Sequence, residues 1–216
     1  SLCSLLKGTV GSPGQAYGPA FVIHEAQLDI GHWCIAEAEF PAEIARFQSA
    51  LSQVLKALTL LKENGRAKKE KEIFEGFLLL LDDPDLADAI AGAIRSGMNA
   101  EAAVEQVLEG HARAIASFAD PYLRERAADI RDLKRQVLAE LLGKDHLNRV
   151  ELDKDVILVA FDLSPAQFVQ MDSRRILAIV TDAGGQTSHT SILARSLGIP
   201  AIVGAGSACS WSSVGT

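Results

Sequence analysis

The spacing of hydrophobic residues separates the chain into a central block and two ends. Across residues 35–143, apolar residues recur at every third or fourth position, which is typical of amphipathic helices that pack against one another. On either side of this block, the apolar residues form short runs that are typical of β-strands. The pattern therefore predicts strands from both ends of the chain, with a helical segment between them.

The central block is predicted to contain five helices joined by short turns. Periodic apolar residues predict the first helix over 41–65 and the second over 68–81. Asp83, Asn99 and Asp120 mark the starts of three more helices, because aspartate and asparagine side chains cap helix N-termini. Proline follows each of the two aspartates, as is common in a first helical turn. This arrangement indicates an all-helical bundle.

The two ends are predicted to supply the strands. Residues 8–25 predict two short strands around a Ser-Pro-Gly turn. The later runs are continuously apolar, which is typical of strands covered on both faces in a parallel sheet. These later runs lie at 156–160, 176–180 and 199–204.

Strands from both ends imply one α/β subdomain that is interrupted by the bundle. A short helix is predicted over 164–171, and no strand is predicted over 207–216. The simplest fold of this mixed α/β class is an α/β subdomain made of 1–34 and 144–216. An all-helical subdomain is then inserted at 35–143.

Composition and charge narrow the possible partners. The chain has 216 residues, of which 48% are hydrophobic, enough to form a core. A net charge of −7 argues against nucleic acid or an anionic membrane surface, and leaves room for a basic protein partner. No apolar run is long enough to span a bilayer and no signal peptide is recognisable, so we expect no membrane insertion and a cytoplasmic location. Three widely spaced cysteines fit reduced thiols better than a disulfide framework or a metal site.

A glycine turn between a predicted strand and a predicted helix is the candidate site. Gly184 and Gly185 allow the backbone to adopt positive φ and to approach a bulky anion. Thr187 or Ser188 can cap the helix whose first turn carries His189. A neutral imidazole at a helix N-terminus is a nucleophile placed where a phosphate is favoured. Alternatively, a lone histidine near a helix start is a common polar surface residue.

Residues 184–195 resemble the phosphohistidine signature of phosphoenolpyruvate-utilising enzymes at each position. The signature has paired glycines, a hydroxyl residue two positions before histidine, small residues after it, two aliphatic residues and then Ala-Arg. Over nearly its whole length, the chain resembles the N-terminal domain of enzyme I, the phosphoenolpyruvate-protein phosphotransferase of the bacterial sugar phosphotransferase system. The other matching segments are Ser-Pro-Gly at 12–14, Ile-Phe-Glu-Gly at 73–76, the run at 122–132 and Asp-Leu-Ser-Pro at 162–165.

The resemblance implies a role for each matching residue. The histidine at His189 accepts phosphate from phosphoenolpyruvate and passes it to a histidine of the small carrier protein HPr. Arg195 is expected to neutralise phosphate charge or to face a structural carboxylate, and Arg126 to meet the incoming phosphoryl group. The carrier is expected to dock on an apolar face of the helical subdomain, although the pattern alone makes the same residues bundle core. These docking residues are Leu79, Leu80, Leu86, Ile115 and Leu123.

Three departures from the family pattern bear on these expectations. Phe168 stands where the family motif has a hydroxyl residue that can hydrogen bond to the resting histidine. Lys68 and Lys69 stand where the family has acidic residues at the rim of the docking surface. The family's enzyme continues into a C-terminal barrel that binds phosphoenolpyruvate and Mg²⁺ and carries the dimer interface. We therefore expect no cofactor or metal in this chain.

Two alternative functions remain open at the level of sequence. Pyruvate-phosphate dikinases and phosphoenolpyruvate synthases share the histidine signature on a swivelling domain, although they lack this helical insert. The chain could also be a non-catalytic regulatory module that binds a carrier through its helical face. Labelling of His189 from ATP would favour the first alternative, and a histidine that no phosphorylated carrier labels would favour the second.

Overall fold

Strands from both ends of the chain form one five-stranded sheet in the computed structural model, which describes residues 5–211 apart from the side chain of Trp211. The strand order is β1-β5-β4-β3-β2. Strands β2, β3, β4 and β5 run parallel, and β1 pairs antiparallel with β5. The sheet confirms the predicted α/β fold built from both chain ends. The strands are β1 Thr9–Ser12, β2 Ala20–Ile23, β3 Val156–Ala160, β4 Ile176–Thr181 and β5 Ala201–Val203.

The two N-terminal strands lie at opposite edges of this sheet. The sequence correctly predicts two strands here, but the predicted Ser-Pro-Gly turn is not formed: residues 13–19 are an irregular connection between strands that do not pair with each other. Ala20 pairs with Ile157 of β3, whereas Thr9 pairs with Val203 of β5. Each strand thus adds to an edge formed by the C-terminal part of the chain, which explains why both ends are needed for one sheet.

The helices occupy the predicted positions. Asp83 and Asp120 cap α3 and α5, and their carboxylates accept hydrogen bonds from the backbone N–H groups two residues later at 2.9 Å. Short 3₁₀ helices precede α1 and β4. The α-helices are α1 Phe40–Glu63, α2 Lys68–Leu81, α3 Pro84–Arg95, α4 Ala100–Ala116, α5 Pro121–Leu141, α6 Pro165–Gln170, α7 His189–Leu197 and α8 Ala208–Trp211.

Asn99 precedes α4, but the prediction that its side chain caps this helix is wrong. Its Oδ1 accepts a hydrogen bond from the Trp33 N–H at 3.2 Å, and its Nδ2 donates to the Gly31 carbonyl at 2.9 Å. Asn99 is fully buried, and buried polar groups require hydrogen-bond partners. The backbone of residues 31–33 provides these partners in place of the helix N-terminus. Glu43 of α1 accepts the first N–H of α4, that of Ala100, at 2.7 Å.

Residue contacts divide the chain into two units. One unit comprises the sheet and its helices, with the segments up to Ala26, at 67–70 and from Arg149 on; the other comprises 27–66 and 71–148. We call them the α/β unit and the helical unit. Division into domains at 34/35 and 143/144 stays a prediction. Within residues 5–211, none of the helices has the length and apolar content needed to cross a membrane.

An ion cluster links α4 to α5 in the helical unit. The Glu109 carboxylate accepts hydrogen bonds from Lys134 Nζ at 2.9 Å and from Arg131 Nη2 at 3.1 Å. Burial of the carboxylate raises its pKa, but the two cations outweigh this effect and hold the pKa of Glu109 at about 2. Glu109 therefore remains ionised in the folded protein well below the usual glutamate range.

The lowered pKa of Glu109 predicts an acid-dependent contribution to stability. Because the folded pKa lies below the unfolded value of 4.5, this contribution is complete above that value and is lost as pH falls toward 2. We expect Glu109→Gln to lower the free energy of unfolding by about 1 kcal/mol at neutral pH, after solvent screening, and by less at pH 3. Urea unfolding at several pH values measures the free energy of unfolding of the variant and of the starting chain. The control is Glu63→Gln at an exposed residue of α1, and an equal loss at every pH would contradict the prediction.

Candidate functional site

The predicted site residues lie where strand β4 ends and helix α7 begins. His189 is the first residue of α7 and is partly exposed. Ser188 is the N-cap, and its Oγ accepts a hydrogen bond from the Ser191 N–H at 3.4 Å. Ser188 rather than Thr187 therefore caps the helix, and Thr187 is exposed. The imidazole is held at the positive end of the helix dipole, where negative charge is favoured.

Of the paired glycines, Gly184 has the conformation that requires glycine. Its φ is +94°, and a Cβ there would lie 3.2 Å from Ser188 Oγ. Gly185 does not have positive φ, and a Cβ at this position would meet no atom within 4 Å among the described residues. The expectation that both glycines take positive φ is therefore met at Gly184 alone.

The carbonyl oxygen of Gly185 is a focus of hydrogen bonds. It accepts from the Ser188 N–H at 3.1 Å, from Ser188 Oγ at 2.8 Å and from Ser191 Oγ at 2.7 Å. Ser191 is fully buried. Ser191 is not among the predicted site residues, although a hydroxyl one helical turn after the N-cap is a signal that could have identified it.

Arg195 contacts main-chain carbonyls. Its Nη1 donates to the carbonyl oxygen of Gly11 at 2.7 Å and to that of Gln186 at 3.0 Å. Phosphate or a structural carboxylate is the predicted partner of Arg195, and the observed partners are neither. The side chain thus joins strand β1 to the loop that precedes His189.

Asp182, the first residue after β4, links the start of the same loop to helix α8. Its carboxylate accepts from the backbone N–H groups of Ala208 and, at 3.1 Å, of Cys209. Partial burial raises the pKa of Asp182, but hydrogen bonds from Cys209 and Ala208 lower it below the usual range overall. Burial and this carboxylate raise the pKa of the Cys209 thiol to about 11. Cys209 is therefore a neutral thiol near pH 7, in keeping with the absence of a predicted role.

Phe168 is buried in α6 and provides no hydroxyl group. Helix α7 is instead linked to the segment before α6 by Thr190, whose Oγ1 donates to the Leu163 carbonyl at 3.4 Å. Thr190 is itself buried. A hydrogen bond from residue 168 to the resting histidine, as the family pattern implies, is therefore not available in this chain.

The residues predicted to dock a carrier differ in exposure within the helical unit. Leu79 is 68% exposed, whereas Leu86 lines a small apolar cavity with core residues of α1, α3 and α4. Leu80, Ile115 and Leu123 are partly exposed. Leu86 is itself partly exposed, so the predicted set contains one exposed residue and four partly exposed ones, and none of the five belongs to the buried core.

Two aromatic residues at the connection between α4 and α5 are also exposed. Phe118 follows the end of α4 and is 59% exposed. Tyr122, in the first turn of α5, is 69% exposed. Large exposed apolar groups are candidate contact residues for a partner.

Arg126 is predicted to meet the incoming phosphoryl group. Its guanidinium lies 3.7 Å from the buried carboxylate of Asp129 on the same helix. A Cβ at Gly76 would lie 3.3 Å from Arg126 Nη1, so the glycine leaves room for the guanidinium. The Arg126 side chain is 27% exposed. Its cationic group is therefore held in place and remains partly open to solvent.

The described residues thus form a sheet unit that carries a histidine at a glycine turn and a separate unit of helices. Comparison with protein families identifies this combination. Residues 7–126 match the family described as PEP-utilising enzyme, N-terminal, and residues 152–214 match PEP-utilising enzyme, mobile domain. The chain belongs to the PEP-utilising enzymes.

Individual relatives agree with the family assignment. The phosphoenolpyruvate-protein phosphotransferase of Haemophilus influenzae is 36% identical over 204 residues, which are 93% of this chain and 36% of that protein. The protein of the same name from Listeria monocytogenes is 37% identical over 203 residues, or 92% of this chain and 35% of that protein. The chain therefore spans about a third of the length of these curated relatives.

Two solved structures share the fold. An NMR solution structure of Enzyme I superimposes with a TM-score of 0.71 at 37% identity, covering 96% of this chain and 85% of that chain. A structure described as the N-terminal domain of Enzyme 1 - Nitrogen gives a TM-score of 0.59 at 26% identity, covering 93% and 83%. The resemblance to the N-terminal domain of enzyme I that the sequence predicts is confirmed.

Proposed function

We propose that this chain accepts a phosphoryl group on His189 and passes it to a histidine of an HPr-like carrier protein. The observation that carries the proposal is the position of His189, partly exposed at the first residue of a helix capped by Ser188. A neutral imidazole needs no separate base to attack phosphorus, and the helix dipole stabilises the charge it receives. The names of the relatives, phosphoenolpyruvate-protein phosphotransferase, support the same chemistry.

The transfer is proposed to be direct and reversible between two imidazoles. Such transfer depends on positioning and on electrostatic stabilisation of the phosphoryl oxygens, since the protein contributes little other covalent chemistry. Arg126 is the proposed cation for the incoming group, because its guanidinium is partly exposed although Asp129 lies nearby. The helical unit is the proposed docking surface for the carrier. Its exposed Leu79 is the leading contact residue among the five predicted ones.

The first phosphate donor is proposed to be phosphoenolpyruvate, acting through a part of the protein beyond this chain. Phosphoenolpyruvate binding, Mg²⁺ and dimerisation are assigned to the C-terminal domain that the resemblance implies. The relatives are about three times as long as the chain. The proposed location is the cytoplasm, because the exposed thiol of Cys34 suits a reducing compartment.

Neither alternative function is favoured. The relatives carry the name of a phosphoenolpyruvate-protein phosphotransferase, rather than that of a dikinase or a phosphoenolpyruvate synthase. A purely regulatory module would not need a capped, partly exposed histidine at a glycine turn. Mass spectrometry after mixing the chain with phosphoenolpyruvate, a full-length enzyme I and a carrier tests the proposal. Phosphate on His189 is expected, and an unmodified chain would contradict it.

The docking proposal predicts that Leu79→Glu weakens carrier binding without unfolding the helical unit. Leu79 is 68% exposed, so the free chain tolerates the charge, whereas a docked carrier would desolvate it. We expect the dissociation constant to rise by a factor of about ten or more, which is the usual effect of losing one important contact residue. The control is Leu60→Glu, at a leucine of α1 that is 57% exposed. The docking model fails if carrier titration shifts NMR signals in the α/β unit alone.

A further inference from the structure

Ser191 and Arg195 lie one turn apart on α7, and both donate hydrogen bonds to the loop before that helix. Ser191 Oγ donates to the Gly185 carbonyl at 2.7 Å, and Arg195 Nη1 donates to the next carbonyl, that of Gln186, at 3.0 Å. Residues four apart on a helix occupy the same face, so both side chains reach consecutive peptide groups. The helix thereby holds the loop that leads into it.

Strand β1 contacts the same two side chains through Gly11. The pairing of β1 with β5 is irregular between Val10 and Ser12, and the carbonyl of the intervening Gly11 accepts from Arg195 Nη1 at 2.7 Å. A Cβ at Gly11 would lie 2.5 Å from Ser191 Oγ. The absence of a side chain at Gly11 therefore lets β1 pack directly against Ser191 while its carbonyl binds Arg195.

We infer that Ser191 and Arg195 are positioning residues for phosphoryl transfer at His189, and that they act by fixing the Gly185 and Gln186 carbonyls. The inference rests on the proposed function. It assigns a role to Ser191 and replaces direct phosphate binding as the role of Arg195.

The peptide geometry explains how this hold affects the histidine. The described chain contains only trans peptide bonds, in which the carbonyl and the following N–H point in opposite directions. With the Gly185 and Gln186 carbonyls turned toward Ser191 and Arg195, the N–H groups of Gln186 and Thr187 point away from these side chains. His189 lies two residues after Thr187, so the orientation of its imidazole depends on the same hydrogen bonds.

The test compares Ser191→Ala and Arg195→Met in the 216-residue chain. The first removes one buried hydroxyl, and the second removes the guanidinium from an exposed residue while keeping a similar length. With a phosphorylated HPr-like carrier as donor, we expect each rate of His189 labelling to fall by about 10-fold to 100-fold, the usual effect of a small misplacement. The final extent of labelling should equal that of the starting chain. Arg195→Lys should restore part of the rate, because lysine can donate to one carbonyl.

The matched control is Ser196→Ala on the same helix, where the hydroxyl donates to the Leu193 carbonyl within the helix at 2.8 Å. Its labelling rate should stay within about twofold of that of the starting chain. NMR provides the readout that is independent of phosphate. Amide signals of Gln186 and Thr187 should shift in Ser191→Ala and Arg195→Met, but not in Ser196→Ala.

Each outcome separates the inference from competing explanations. A phosphate-binding role for Arg195 would slow labelling in Arg195→Met without moving the loop amide signals, and would overturn the inference for Arg195. Rates and amide signals unchanged in both variants would overturn it entirely. If Ser191→Ala fails to fold, the labelling rate and loop amide signals of Arg195→Met, a substitution at an exposed position, decide whether the inference holds. If the starting chain is never labelled, the proposed function fails, while the amide signals still show whether Ser191 and Arg195 hold the loop.

Discussion

His189→Ala is expected to abolish labelling of the chain by a phosphorylated HPr-like carrier, with a loss on the order of 10³-fold or more, since a covalent nucleophile has no substitute. The fold should survive, because His189 is partly exposed at the first residue of α7 and does not contribute to the buried core. Incorporation of ³²P from the carrier measures the loss, and far-UV circular dichroism measures retention of the helices.

The control for this variant is His24→Ala, at an exposed histidine that follows strand β2 in the same α/β unit. This variant should be labelled by the carrier at the same rate as the starting chain. The label should also be lost in acid and kept in base, as expected of a phosphoramidate. Acid-stable phosphate in the His189→Ala chain would move the acceptor to a hydroxyl residue of the loop, such as Thr187 or Ser188, and would refute the central proposal.

The helices could be predicted well because their signals are local. Asp83 and Asp120 bond to backbone groups two residues away, so the capping interaction is contained in the sequence pattern. Asn99 fits the same pattern but bonds to Trp33 and Gly31, which lie 66 and 68 residues away. A local rule cannot choose between these outcomes, since the distant backbone segment that packs beside the buried Asn99 decides the partner of the amide.

The candidate site was predictable to a similar extent. The turn, the cap and the position of His189 follow from neighbouring residues, and Ser188 fulfils the capping role. The partner of Arg195 was not predictable, because the Gly11 carbonyl lies 184 residues away and is exposed to Arg195 by an irregular strand pairing. The hydrogen bond from Ser191 to the Gly185 carbonyl is local, whereas the packing of Ser191 against Gly11 depends on the same pairing. Sheet topology was therefore the missing information for the Gly11 partner of Arg195 and for the packing of β1 against Ser191.

The exposure of the predicted docking residues could not be predicted from the sequence for a different reason. A stripe of leucines at helical spacing predicts an apolar face, but exposure depends on which neighbouring helices cover that face. Leu81 is buried and Leu79, two residues earlier, is 68% exposed. Helical periodicity can order the residues around one helix axis, but it cannot say which side faces solvent when the run Leu78 to Leu81 is continuously apolar.

The isolated chain is expected not to be labelled by phosphoenolpyruvate and Mg²⁺, although a phosphorylated HPr-like carrier labels it. Phosphoenolpyruvate is a small trianion, and transfer of its phosphoryl group requires Mg²⁺ and several cationic groups around the developing charge. Three arginines of the α/β unit already have partners. Arg195 binds two carbonyls, Arg174 binds Asp172 at 2.9 Å, and Arg175 lies 3.7 Å from Asp155.

A phosphorylated carrier does not place the same demand on the chain. Its phosphoryl group arrives on a protein surface that supplies part of the neutralising charge, so the chain needs chiefly to position His189 against it. We expect the labelling rate with phosphoenolpyruvate and Mg²⁺ to be at least about 100-fold below that with the phosphorylated carrier, because the cationic groups contribute most of the stabilisation. Mass spectrometry of the chain under both conditions measures the difference. Rapid labelling of His189 by phosphoenolpyruvate with no other protein present would show that the donor site lies within these 216 residues.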